Sequence, residues 1–251
     1  FFGTQYDIHG GARDLIFPHH EAEVSLMEAI SGKSPLAKYW MHVGFLTVNG
    51  QKMSKSIGNF ITIGDFLKRN SRQQLRFLLV KNLWQSPLDY SESVMIEVRA
   101  SLEKIEEFLR KLKNIKTTKT TDRRFKKVFE KTKIDFYKEL DNDFNTPKAF
   151  AVIFDFIKKT NKFLDEGLLS KIQAKEIYNF SEKIDQIFGI IDFKKIKKPT
   201  ISPTLKKLIK TREKYRKQQN WQKADEIRIE IEKKGYLVED TKSGQIVKNV
   251  K

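Results

Sequence analysis

Two lysines three residues apart, Lys52 and Lys55, stand in the string Lys52-Met53-Ser54-Lys55-Ser56, whose Ser54 and Ser56 add two hydroxyl donors. Ammonium groups so placed can fold over a polyphosphate and offset the charge that builds up as pyrophosphate leaves an α-phosphate. The stretch from Gly44 to Asn59 supplies the setting. Two short strand-like runs meet at Asn49-Gly50, a pair suited to a type I′ hairpin turn because both of its central positions take positive φ. That turn fixes where the lysine loop leaves the fold, and Gly58 is the expected hinge beyond it. A bare Lys-x-x-Lys in a lysine-rich chain is usually a solvated face. The two hydroxyls and the hairpin before them make phosphate contact the alternative.

A second group of residues precedes the loop. All four histidines, His9, His19, His20 and His42, fall within the first 42 residues. Tyr6 to His9 reads as the end of a strand, Gly10-Gly11 as a tight turn or a point of close approach, and Asp14 to Phe17 as a segment running under the surface. A helix is expected to begin near Pro18, with Glu21 and Glu23 at the positive end of its dipole. His19 and Glu23 then share one helix face, four residues apart, a spacing that lets both ligate one metal ion. Alone, such a pair is more often a surface contact, since structural zinc sites show four ligands.

The composition bounds what partners fit. The 251 residues suffice for more than one domain. With 49 Lys+Arg against 32 Asp+Glu the formal net charge is +17, which favours a polyanionic partner such as nucleic acid, although Lys, Ile, Phe and Asn richness also reflects biased composition. There is no cysteine, so neither a disulfide nor a thiolate ligand can come from these residues, and a reducing, cytoplasmic setting is allowed. No apolar run approaches membrane-span length, and no membrane partner is expected. The chain opens on Phe1-Phe2-Gly3 without an initiator Met, as a fragment would.

The elements that position these residues read as mainly α with an α/β portion. Thr62 to Leu83 fits two helices with Phe66, Leu67, Leu75, Leu78 and Leu79 inward; Arg72 and Arg76, four apart, are either a solvated face or a contact to nucleic-acid phosphate. Trp84 to Tyr90 breaks the period and marks a boundary. From residue 91 to about 192 the pattern is helical: Val94, Val98, Leu102, Ile105, Phe108, Leu109 and Leu112 lead, and a Lys/Thr-rich interruption covers Lys113 to Arg124. Helix resumes from Phe125 to Leu140. Asn145 or Thr146 then caps a helix started by Pro147, with Phe150, Ile153, Phe154 and Ile157 inward, while the acidic Asp141 and Asp143 take turn and capping roles. A last helix of this group, Leu168 to Phe188, ends at Gly189.

After a basic linker, Phe193 to Pro199, a small domain follows. A helix from Ser202-Pro203 carries Lys206, Lys210, Lys214 and Lys217 as a stripe. Asn220-Trp221 interrupts, a second helix reaches Lys234, and a hairpin is expected around Ser243-Gly244. Residues 197–251 hold 16 Lys+Arg and 7 Asp+Glu. Basic residues beside Tyr215 and Trp221 suit single-stranded RNA, whose bases stack on aromatic rings; Trp221 packed between helices is the even alternative.

DIHGG, DLIFPHHE and YWMHVGFLTVNGQKMSKSIGNF together resemble the cysteinyl-tRNA synthetases of class I, and the resemblance extends through DxDFNTPxA and YRKQQNWQKADEIR over nearly the whole chain. It implies residues 1–88 as the C-terminal part of a Rossmann-type catalytic core, 89–195 as a tRNA-binding helical bundle and 196–251 as a small α+β anticodon-binding domain. It implies cysteine–tRNA ligase activity: L-cysteine is activated with ATP and Mg²⁺ to cysteinyl-adenylate and passed to tRNA(Cys). Lys52 to Ser56 would embrace ATP, Lys55 with the most direct phosphate contact. His19 and Glu23 would be two of four ligands of a Zn²⁺ ion that binds the substrate thiolate, and His9 would line the amino-acid pocket. The two cysteine ligands and the HIGH motif of the family would lie upstream of Phe1, so the chain alone is expected to be inactive. Arg216, Trp221 and Asp225 would contact anticodon bases; the three-residue spacing of Arg228 from Asp225 allows an ion pair between those two instead. Where the family often has a third glycine after DIH, this chain has Ala12, which matters only if that residue needs positive φ.

The zinc reading has a physical basis. A pocket rejects a near-isostere by apolar contact with only a few kcal/mol, whereas a soft thiolate binds zinc far better than a hydroxyl does. Two other functions fit parts of the sequence. A ligase joining cysteine to a small amine, of the mycothiol-biosynthesis type, has no use for the basic C-terminal domain. A non-catalytic RNA-binding relative has no use for an intact lysine loop with His19 and Glu23.

Overall fold

A computed structural model describes residues 3–115, 122–196, 203–241 and 244–249. Two compact units divide it, Phe1–Asp192 and Phe193–Lys251. The chain is mainly helical with a small α/β portion, as its sequence pattern implies.

The first unit begins with strand β1 (Tyr6–Ala12), which pairs in parallel with β2 (Ala37–Val43). Gly10 and Gly11 therefore lie inside a strand rather than in a turn, because β2 continues the pairing as far as Ala12 opposite Val43. A 3₁₀ turn (Arg13–Leu15) and a wide turn (Ile16–His20) follow, and helix α1 spans Glu21–Ser31, three residues later than the proline implies. Phe17 is extended, so the turn from Pro18 is not continuous with what precedes it. The segment Asp14 to Phe17 lies on the surface, contrary to expectation: Phe17 is 76% exposed. The one ring of this stretch that turns inward is His20, which occupies the space over β1. Ile8, Leu26, Ile30 and Tyr39 stay exposed, and α1 has no buried residue.

Strands β3 (Leu46–Val48) and β4 (Gln51–Lys52) form the expected hairpin, with Asn49 at φ 51° and Gly50 at φ 78°. Strand β5 (Leu88–Tyr90) joins the other side of β3 in parallel, so residues within the Trp84–Tyr90 break are part of a sheet. Gly44 is required where the two segments converge, since a Cβ there would stand 2.2 Å from the Ser86 carbonyl oxygen.

Between them, α2 (Ile63–Arg69) is capped by Thr62, and α3 (Arg72–Val80) by a reciprocal Ser71–Gln74 box. Phe66, Phe77 and Leu78 are buried, whereas Leu67 and Leu79 face outward. Edge-to-face contact of Phe77 with Phe150, centroids 5.1 Å apart, sets the inward face of α3 one step from the expected one.

Four longer helices follow: α4 (Glu92–Lys113), α5 (Arg123–Asp141), α6 (Thr146–Asp165) and α7 (Lys171–Phe188). Their apolar stripes meet in a phenylalanine-rich core in which Phe125, Phe129, Phe136, Phe156 and Phe180 touch one another. Met95 and Phe156 hold core places expected of Val94 and Phe154, a small rotation of each helix face. Asn145 caps α6, and Gly189 at φ 62° ends α7. Asp143 does not cap; its carboxylate accepts from Gln85 and its carbonyl from Trp84, tying the α5–α6 corner to the stretch before β5. Arg76 donates from Nε to the Phe188 carbonyl at 2.5 Å, which answers an unpaired group at the end of α7.

In the second unit, α8 (Pro203–Lys217) and α9 (Trp221–Lys233) pack with the antiparallel strands β6 (Tyr236–Thr241) and β7 (Gly244–Asn249) around Leu205, Ile231 and Val238. The middle of the Lys/Thr-rich interruption, the end of the basic linker, Ser202 and Ser243 lie outside the described residues. No described helix is long and apolar enough to cross a membrane.

Candidate functional site

The parallel register of β1 and β2 places His9 opposite Trp40 and Gly11 opposite His42. Rings stack as a result: His9 and Trp40 lie 4.6 Å apart at 20°, Trp40 and His42 5.8 Å apart at 5°. His20 closes over this row, its Nδ1 2.8 Å from His42 Nε2. A Cβ at residue 11 would stand 2.6 Å from His20 Cε1, so glycine serves close approach of a ring there. Ala12 has φ −84°, and its substitution for glycine carries no conformational cost.

Glu23 draws the imidazoles together. Its two carboxylate oxygens lie 3.4 Å from His19 Nε2 and 3.5 Å from His9 Nε2, and the oxygen facing His9 is buried without a hydrogen-bond partner. One donor atom each from His9, His20 and Glu23 falls within 4.8 Å of the others. Burial, then the neighbouring His9, hold the His20 pKa below its ordinary value, which keeps the ring neutral and its lone pair available. A buried carboxylate oxygen lacking a donor, faced by an imidazole nitrogen of His9, fits a zinc-type cation. Helical spacing singles out His19 with Glu23; the structure adds His9 and His20 around the same carboxylate, and His19 is the most open of the three rings. The centrality of Trp40 has no sequence signal, because it follows from strand pairing alone.

The lysine loop is held at both ends. Asn59 accepts from the Ser54 amide at 2.8 Å and donates to the Lys52 carbonyl at 3.2 Å, clipping the loop across its base. Ser54 Oγ lies 3.0 Å from Ser56 Oγ and accepts from the Ile57 amide, while Gly58 takes φ 76°. Met53 donates its amide to the Leu46 carbonyl at 3.3 Å. Lys52 Nζ is 3.5 Å from Asp14 and 4.8 Å from the Phe45 ring centroid; Lys55 Nζ lies 5.5 Å from the Phe60 centroid. The Lys52–Asp14 contact links the loop to the turn between His9 and His19. Asp89 on β5, which no sequence motif marks, accepts from the Gly50 amide and the Thr47 hydroxyl and so secures the turn.

In the second unit Arg216 and Trp221 come together, the guanidinium carbon 5.7 Å from the indole centroid. Trp221 is 57% exposed at the first position of α9, so it is no core anchor. Asp225 sits one turn further along α9, also exposed. Arg228 does not pair with it; its Nε lies 3.2 Å from Glu232, one turn further along α9.

Three family models match in series: the tRNA synthetases class I (C) catalytic domain over residues 1–100, the DALR domain over 135–192, and the cysteinyl-tRNA ligase anticodon binding domain over 198–247. The chain is 34% identical over 259 residues to a cysteine–tRNA ligase of Thermodesulfovibrio yellowstonii, covering 96% of this chain and 53% of that protein. It is 38% identical over 266 residues to one of Methanococcus maripaludis, covering 100% and 55%. The chain thus spans about half the length of the curated relatives it matches. Among solved structures it is similar in fold to Mycobacterium tuberculosis methionyl-tRNA synthetase in complex with methionyl-adenylate, with a TM-score of 0.53 at 18% identity, over 63% of this chain and 34% of that one. A leucyl enzyme from Agrobacterium radiobacter K84, solved with tRNA, matches 67% of this chain and 23% of its own at TM-score 0.50 and 16% identity.

Proposed function

The chain belongs to the cysteinyl-tRNA synthetase family, and from that premise we propose that it serves a cysteine–tRNA ligase. Such a protein, in the cytoplasm, activates L-cysteine with ATP and Mg²⁺ to cysteinyl-adenylate and transfers the aminoacyl group to tRNA(Cys). The observation that carries this is the Lys52–Asp14 contact, which ties the lysine loop to the turn running from His9 to His19, next in sequence to the histidine–glutamate cluster.

Lys52 and Lys55 neutralise the phosphates of ATP as pyrophosphate departs, with Met53, Ser54 and Ser56 shaping the loop. His19 and Glu23 hold a zinc ion, His9 lines the amino-acid pocket, and His20 lies in the same cluster, its donor atom close to those of His9 and Glu23. When bound, zinc supplies a soft Lewis acid that favours a thiolate over a hydroxyl. Glu23 faces His9 with one carboxylate oxygen and His19 with the other, and Gly11 gives the His20 ring room beside them. The proposed division is a catalytic portion over 1–88, a tRNA-binding bundle over 89–195 and an anticodon unit over 196–251, in which Arg216, Trp221 and Asp225 meet anticodon bases. A basic unit with an exposed Trp221 suits an RNA acceptor better than a small amine.

The test is cysteine-dependent ATP–pyrophosphate exchange by the protein that contains this chain. Lys55→Ala is expected to slow exchange by about 10²-fold or more, the scale of one lost transition-state charge contact. Exchange at the unsubstituted rate contradicts the assignment of Lys55.

A further inference from the structure

We propose that Arg212 is a positioning residue for anticodon recognition: from inside the second unit it fixes Asp240, and through Asp240 it sets the Arg216 guanidinium beside the open face of Trp221. The inference rests on the reading of this unit as anticodon-binding.

Arg212 and Arg216 stand one turn apart on α8 and reach the same carboxylate on β6. Arg212 is only 2% exposed. Its Nη1 donates to Asp240 Oδ1 at 3.0 Å and to Gln245 Oε1 at 2.9 Å, and its Nη2 to Asp240 Oδ2 at 2.9 Å. Nε is buried with no partner. A charge buried at that depth is a poor source of net stability, because desolvation offsets most of the attraction. What the two-pronged contact supplies is direction: a planar guanidinium bonded to both oxygens fixes the plane of the carboxylate.

Asp240 is the outlet of that constraint. It is partly open to solvent, and its Oδ2 also accepts from Arg216. Arg212 comes first among the groups that hold its carboxyl below the ordinary range, so it stays ionised. The order from inside to outside is Arg212, Asp240, Arg216, Trp221, with the last pair forming a cationic and aromatic corner of the kind on which an unstacked base rests. Two guanidinium groups share one carboxylate, which leaves a net positive charge at the surface where RNA arrives.

The apolar core of the unit is built from residues outside this row. Leu205, Ile231 and Val238 form its core with Leu208, Ile209 and Ile227, and after loss of Arg212 the Asp240 carboxylate keeps Arg216 as a partner. Arg212→Met is therefore expected to fold.

The full chain, unsubstituted and as Arg212→Met and Arg212→Lys, is titrated with anticodon stem-loops of tRNA(Cys) carrying GCA or a scrambled triplet, over a salt series, with thermal melting in parallel. The unsubstituted chain is expected to prefer GCA. In Arg212→Met that preference falls by about tenfold while the melting temperature and salt slope stay close to the original, and Arg212→Lys, which makes one contact instead of two, recovers part of it. If Arg212→Met unfolds, Gln245→Leu, which removes one acceptor without stranding a charge, is read in the same way. Undiminished preference for GCA in the folded variant overturns the role of Arg212 alone. Equal binding of both loops by the unsubstituted chain overturns the anticodon reading, and this proposal with it.

Discussion

Asp89 accepts the Gly50 amide hydrogen at 2.8 Å, so a residue shortly before the N-cap of α4 secures the turn from which the lysine loop departs. The same oxygen accepts from the Thr47 hydroxyl at 2.7 Å, across the parallel pairing of β3 and β5. Asp89→Asn keeps the shape but weakens both bonds, and about 1 kcal/mol of local stability should go with the charge. Hydrogen exchange of the amides from Gly50 to Ser54 should quicken several-fold, with the α6 amides unchanged. Uniform quickening across the first unit, or none, would show that Asp89 has no special hold on the loop.

The same carboxylate makes the turn sensitive to acid. The Gly50 amide, then the Thr47 hydroxyl, holds the Asp89 pKa below its ordinary value. Its contribution is therefore complete above the unfolded carboxylate pKa of about 3.9 and is lost as the pH falls through the lower folded value. The Gly50 amide proton resonance should stay constant at neutral pH and move only in that acid range; movement near pH 6 would assign the effect to histidine instead.

Gly11→Ala should disturb the histidine row without unfolding the chain. The added carbon meets the ring edge of His20 at 2.6 Å, and a side chain can swing away where a backbone could not. A loss of about 1–3 kcal/mol is expected from overpacking, with the His20 and His42 ring resonances shifted together. At Gly44 the obstruction is the Ser86 carbonyl, so Gly44→Ala should cost more and chiefly perturb the β3–β5 sheet. Equal and small effects at the two positions would contradict the close approaches described.

The proposed zinc binding should depend on Glu23. Removing its charge with Glu23→Gln takes away the group that both His9 and His19 face, and zinc affinity measured by competition with a chelating dye should fall by about tenfold or more. Unchanged affinity would mean that Glu23 is not a ligand, and His19→Ala then separates a site centred on His9 and His20.

Features that depend on a few adjacent residues are legible in the sequence. Asn49-Gly50 marks its hairpin, Asn145 and Gly189 their caps, and the lysine pentapeptide its loop. Features set by partners far along the chain are not. Gly10 and Gly11 look like a turn, and only their pairing with β2 makes them strand. Leu79 and Phe77 are equally apolar, and the contact with Phe150 decides which faces inward. Asp89 and Arg212 carry no motif; their roles arise from donors and acceptors 28 to 42 residues away. The cluster at Glu23 is half legible, because helical spacing reveals His19 while His9 needs the strand.

The proposed function requires that this chain recognise the cysteine tRNA and not merely a polyanion. The direct measurement is its affinity for tRNA(Cys) transcripts with the GCA anticodon or a scrambled one, followed from low to near-physiological salt. Absolute affinity should fall steeply for both as phosphate contacts are screened, while the ratio between them persists at about 1–3 kcal/mol, the scale of specific base contacts. A ratio near one at every salt concentration would contradict the account and leave the basic unit a site for phosphate alone.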